Sequence, residues 1–77
     1  MTKLDMKILE DLQQTYISAV QNMALFPENS RQYKNGESLA MSTSHTVAVL
    51  YGRKETENLR EMGLREWQRI RSIRMEG

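Results

Sequence analysis

The stretch Glu37-Ser38-Leu39-Ala40-Met41-Ser42-Thr43-Ser44-His45-Thr46-Val47-Ala48-Val49-Leu50-Tyr51 decides the fold. Its opening residues favour helix, its hydroxyl-rich middle favours neither state, and Val47–Tyr51 is β-branched enough to form a strand. A strand here needs a partner, and no other segment alternates apolar and polar residues convincingly. Left unpaired, it would expose its ladder groups. Helix over 37–51 is therefore the reading, with Gly52 as its stop. Pairing of two such strands across a dimer axis is the alternative. On the helix, the small residues Ala40, Ser44 and Ala48 recur every four positions and permit another helix to come close.

Toward the N-terminus, Thr2 followed by Asp5 resembles a capping box. Leu4, Ile8, Leu12, Tyr16, Ala19, Met23 and Phe26 then recur at helical steps. Leu9 and Val20 widen that stripe, and Met6, Ile17 and Ala24 lie further round. The arc exceeds the ~100° that a single neighbouring helix requires, so two neighbours are expected, one of them in another chain or both in this one. Pro27 pushes Phe26 out of the α region and ends a helix of about 3–26. Glu28–Gly36 is polar and turn-rich and reads as a loop. Arg31, Tyr33 and Lys34 make a small basic-aromatic cluster on it, a secondary candidate for phosphate.

Toward the C-terminus, about 54–74 reads as a helix with Leu59, Met62, Ile70 and Ile73 on one stripe. Gly63 interrupts it at about 1 kcal/mol relative to Ala and points to a close contact. Glu61 and Arg65 form an i, i+4 pair in the favourable order. Helices two and three are separate, or fused through Gly52 into one arm of a hairpin. The fold class is all-α: three helices in a small bundle or hairpin, within a single domain of 1–77. Helix one and the inner stripe of helix three are expected to form most of the core.

A chain of 77 residues without cysteine has neither disulfide nor thiolate metal site to stabilise it. Chains of this size often gain stability by oligomerising, so a homo-oligomer is expected. No apolar run reaches the ~18 residues of a membrane span. The polar start, Met1-Thr2-Lys3-Leu4-Asp5, does not read as a secretory signal, so a cytoplasmic location is expected. His45 is the sole histidine, and Ser42, Thr43 and Ser44 beside it point in different directions on a helix. No Gly-rich phosphate cradle occurs among Gly36, Gly52, Gly63 and Gly77. The reading is a non-enzyme with no metal and no cofactor.

The net charge is only +1, but it is unevenly spread. Residues 1–52 carry −1 and residues 53–77 carry +2, with six arginines among the seven cations of the latter. At 100° per residue, Arg60, Trp67, Arg71 and Arg74 fall in a sector of about 60° beside the apolar stripe, and Leu64 lies just beyond it. This Arg/Trp patch is the primary candidate site. It suits a protein hot spot, where Trp and Arg are enriched, or a phosphate backbone with Trp67 stacking. Alternatively Trp67 completes the core and the arginines lie over it.

The run from Ser44 to Glu61 resembles a bacterial helix-turn-helix. Gly52 meets the turn glycine, Ala48 the small position four residues earlier, and Val47 and Tyr51 apolar positions. After the turn, Arg53, Asn58 and Glu61 stand where apolar residues belong, which puts the match in doubt. The resemblance implies that Lys54, Glu57, Asn58 and Arg60 approach the groove.

The function expected from all this is a small interaction or regulatory protein, inhibitor- or adaptor-like, of the kind found among phage or mobile-element accessory proteins. Its partners would be itself and another protein, without a membrane. A nucleic-acid-binding regulator using the C-terminal helix is the alternative. A nucleotide binder using the loop cations and the Ser/Thr row is a third reading.

Overall fold

The computed structural model describes residues 2–76, with side chains through Arg74. It contains α1 (Lys3–Leu25), α2 (Arg31–Tyr51) and α3 (Arg53–Glu76), and no strand among the described residues. The segment 37–51 is helical throughout.

Each boundary has a chemical cause. Thr2 Oγ1 accepts from the Asp5 amide at 3.1 Å, and the Asp5 carboxylate accepts from the Thr2 amide at 3.3 Å. That reciprocal capping box satisfies two orphan N–H groups of α1, as the sequence indicates. The Thr2 hydroxyl, donating to the Asp5 carboxylate at 2.8 Å, and then the Thr2 amide hold the Asp5 carboxyl below its ordinary value. Extended backbone at Phe26, just before Pro27, ends α1.

The second helix begins earlier than its sequence suggests. Residues 31–36, read as loop, form its first turns, so Arg31, Tyr33 and Lys34 are helical. Ser30 is the cap: its hydroxyl accepts from the Tyr33 amide at 3.1 Å and donates to the Pro27 carbonyl at 2.6 Å. Asn35-Gly36, which looks like a turn signal, is a packing feature. Gly36 is buried against α1, and a Cβ there would lie 2.7 Å from the Ala19 carbonyl oxygen.

Gly52 alone separates α2 from α3, at φ +88° and ψ −169°, a region open to glycine and strained for other residues. Its amide closes α2 on the Ala48 carbonyl. Its own carbonyl accepts from the Thr56 amide and, at 2.8 Å, from the Thr56 hydroxyl, so one residue ends one helix and starts the next. The two helices are therefore not fused.

Contacts along α1 fix the topology. Tyr51 Oη donates to the Asp5 carbonyl, while Gly36 faces Ala19, Asn22 and Met23, so α2 runs antiparallel to α1. Gly63 faces Tyr16 and Val20, Gln21 Nε2 donates to Glu66, and Arg74 reaches the end of α1, so α3 runs parallel to α1. The result is an up-down-up bundle.

Leu9, Val47 and Leu59 form the centre of the core, with Leu12, Tyr16 and Tyr51 packed around it. Val47 and Leu59 are the largest fully enclosed side chains. Helix two thus supplies part of the core that was expected mainly from helices one and three. On α1 the buried side runs through Leu9, Ala19, Val20 and Ala24. It is rotated from the stripe that starts at Leu4 and Ile8, both exposed, because two helices share α1 and the shielded sector lies between them. On α3, Leu59 and Ile70 are buried, Met62 is half-buried and Ile73 is exposed.

Candidate functional site

On α3 the stripe Arg60–Leu64–Trp67–Arg71 runs at steps of four, three and four along one face, and Arg60 at its start stands beside α2. Arg60 and Leu64 are exposed and Trp67 is half-buried. The Arg71 guanidinium lies 4.9 Å from the centroid of the Trp67 ring, a cation–π contact worth ~0.5–1 kcal/mol when exposed. Arg74 turns away to another task. Its Nη1 donates to the carbonyls of Ala24 at 2.9 Å and Leu25 at 3.2 Å, capping the C-terminus of α1 where a cation meets the negative end of the helix dipole. Four members of the sequence-derived patch therefore share one stripe, and the fifth holds two helices together.

The other cations of α3 divide by partner. Arg53 pairs with Glu57, Arg65 with Glu61 at 3.8 Å, and Arg69 with Glu66. Glu66 also accepts from Gln21, and these bonds, that from Arg69 first, hold its carboxyl below the ordinary value. No carboxylate partner among the described residues reaches Arg60 or Arg71. Local pairing thus removes much of the basic character on the Arg65/Arg69 side and leaves it on the Trp67 side.

At the Arg60 end of this stripe lies an open cleft of about 600 Å³ between α2 and α3. Tyr16, Met23 and Ala40 form its deeper part. Met41, Ser44, His45 and Ala48 line the α2 side with Glu37, and Thr56 and Arg60 line the α3 side. Of the small residues singled out in the sequence, Ala40 is buried, whereas Ser44 and Ala48 border this opening. The sequence missed the cleft because it depends on how far α2 leans toward α1 and away from α3. Gly36 was the available signal, since a glycine on one face of α2 draws the helix to that side.

No family model, curated protein or solved structure matches this chain.

Arg31 and Lys34 are exposed and Tyr33 half-buried at the start of α2. The helix-turn-helix resemblance meets a different connection. That motif joins two helices at about 90–120° through a turn of three or four residues. Here α3 departs after Gly52 alone and returns antiparallel to α2. Among the described residues no group of three or more His, Asp or Glu side chains could hold a metal ion. No helix described is long and apolar enough to cross a membrane.

Much apolar surface remains outside the bundle. Leu4, Met6 and Ile8 at the start of α1 and Val49 and Leu50 at the end of α2 are all exposed. The Tyr51–Asp5 hydrogen bond brings these two segments to the same end of the molecule. At the opposite end Leu25, Phe26 and Ile73 are exposed, joined through Arg74.

Proposed function

We propose that this chain is a non-enzymatic interaction protein, adaptor- or inhibitor-like, that assembles with itself and binds another macromolecule. The observation behind this reading is the distribution of large apolar side chains: more of them lie exposed than buried. Single exposed apolar residues are ordinary, but clusters at defined ends of a small domain mark binding surfaces. The end built by Leu4, Met6, Ile8, Val49 and Leu50 is the proposed self-association surface. A cytoplasmic location and a phage or mobile-element setting remain consistent with the absence of cysteine and the small size, and belong to the same proposal.

A nucleic-acid partner ranks below a protein partner. Three of the arginines on α3 are engaged by glutamates of the same helix, which leaves few cations for a phosphate backbone.

Sedimentation velocity tests the self-association. The wild-type chain is expected to sediment as an oligomer at micromolar concentration. Leu50→Glu is expected to sediment as a monomer with the same helical circular dichroism. A monomeric wild type, or an oligomer unaffected by Leu50→Glu and by Ile8→Glu, contradicts the reading.

A further inference from the structure

We infer that the cleft between α2 and α3 receives an amphipathic helix of a partner protein, one that carries carboxylates on the flank facing α3. This rests on the reading of the chain as an interaction protein and names the chemistry of what it binds.

The shape comes first. From Glu37 to Ala48 the α2 wall spans eleven residue steps, which at 1.5 Å per residue is about 16 Å, or three helical turns. A small molecule is usually enclosed on most sides, whereas this cleft is open to solvent, as a site for a helix is. Its deeper part, Tyr16, Met23 and Ala40, suits apolar side chains, and the methionines Met23 and Met41 adapt to varied shapes. An amphipathic helix laid in such a groove anchors through residues at i, i+3 or i+4, and i+7.

Charge then selects the occupant. On the α3 side Arg60 lines the cleft, and the helix face it begins continues through Leu64 and Trp67 to Arg71, beyond the lining residues. Neither arginine has a carboxylate partner among the described residues, while Arg53, Arg65 and Arg69 all have one. Arg71 lies eleven residues, about three turns, further along that face, so a helix that leaves the cleft past Arg60 and continues along α3 would meet both cations with carboxylates about three turns apart on one flank. On the opposite wall Glu37 is exposed and disfavours acid there. The cleft therefore asks for an orientation: acid toward α3, neutral or basic residues toward α2.

The test uses Trp67, the only tryptophan, as reporter. The probe is a capped helical peptide of about fifteen residues with leucines at i, i+3, i+4 and i+7 and glutamates on one flank. Two controls are the same peptide with lysines for the glutamates and a duplex DNA of mixed sequence. The account predicts saturable change in Trp67 fluorescence with the acidic peptide, at an affinity at least about tenfold above that of the lysine peptide. In Arg60→Glu/Arg71→Glu the preference should disappear or reverse. Arg71→Gln, which keeps the size of the side chain, should show a smaller loss. Retained circular dichroism separates these effects from unfolding.

Equal affinity for both peptides, no binding of the acidic peptide, a preference unchanged in the double variant, or tighter binding of DNA than of the peptide would each overturn the inference. If the cleft fails these tests while the wild type still sediments as an oligomer, only the inference falls. Loss of both removes the reading on which it stands.

Discussion

The two ends of one small-residue row on α2, Gly36, Ala40, Ser44 and Ala48, meet their neighbours differently. At one end Gly36 sits in a closed seam, with the place of its missing Cβ taken by the backbone of Ala19. Further along, Ala40 lies in the deeper part of a cleft toward α3, and Ser44 and Ala48 border its opening. Small side chains permit close approach but do not cause it. What closes the seam is a glycine directly under a facing backbone, together with apolar contacts made by Val47. What leaves the cleft open is that α3 is anchored mainly to α1, through Gly63 against Tyr16, Gln21 to Glu66, and Arg74 to the end of α1.

The harshest way to break this contrast is to remove the side chain on which all three helices converge. Leu59→Ala should cost about 2–5 kcal/mol, the range for an enclosed leucine, and destabilise seam and cleft alike in a urea titration. A loss below about 1 kcal/mol would mean that Leu59 is not at the centre of the core.

Glycine substitutions sharpen the comparison. Gly36→Ala drives a methyl group into the Ala19 carbonyl, which cannot turn aside, so the helices must separate. Overpacking of this kind costs about 1–3 kcal/mol, against the ~1 kcal/mol by which Ala favours a helix. The expected net loss is up to about 2 kcal/mol, in the upper part of that range because the obstacle is backbone. Gly63→Ala meets the Tyr16 ring instead, at 2.5 Å, and a ring edge can give way. Its net effect should lie within about 1 kcal/mol of zero. Equal losses at the two positions would remove the distinction between a backbone-closed seam and a side-chain contact.

The smallest effect concerns the tie between α1 and α3. Glu66 has its carboxyl pKa lowered by the bonds from Arg69 and Gln21, from an ordinary value of 4.5. A carboxylate with a lower pKa in the folded state contributes stability that is fully present above the unfolded value. That contribution is lost as pH falls through the folded one. Thermal melting between about pH 6 and pH 3 should therefore show an acid decline that Glu66→Gln makes shallower. Asp5 works in the same direction through Thr2, so the decline should not vanish entirely.

Much of this architecture was legible from the residues. Thr2 and Asp5 announced the start of α1, Pro27 its end, Gly52 the break between α2 and α3, and Gly63 a close contact. The start of α2 was not, because Asn35-Gly36 has the chemistry of a turn as well as of a tight helix crossing, and only the facing Ala19 distinguishes them. The exposed Leu4 and Ile8 were grouped with the core because periodicity identifies an apolar sector without saying how much of it a neighbour covers. In the candidate patch, Arg60, Leu64, Trp67 and Arg71 share the stripe that their spacing implied. The separate role of Arg74 depends on where α1 happens to end, a tertiary fact with no local signature. The cleft belongs to the same class, since it follows from the relative lean of three helices.

The central claim is that the cleft receives a partner while the seam at Gly36 stays closed. Two-dimensional NMR of the isotopically labelled chain, titrated with the acidic amphipathic peptide, tests it most directly. The account predicts that backbone amide shifts concentrate at Met41, Ser44, His45, Ala48 and Arg60, with little change at Ala19, Asn22 and Gly36. Shifts concentrated at Ala19, Asn22 and Gly36, or confined to the apolar end formed by Leu4, Ile8 and Leu50, would contradict it.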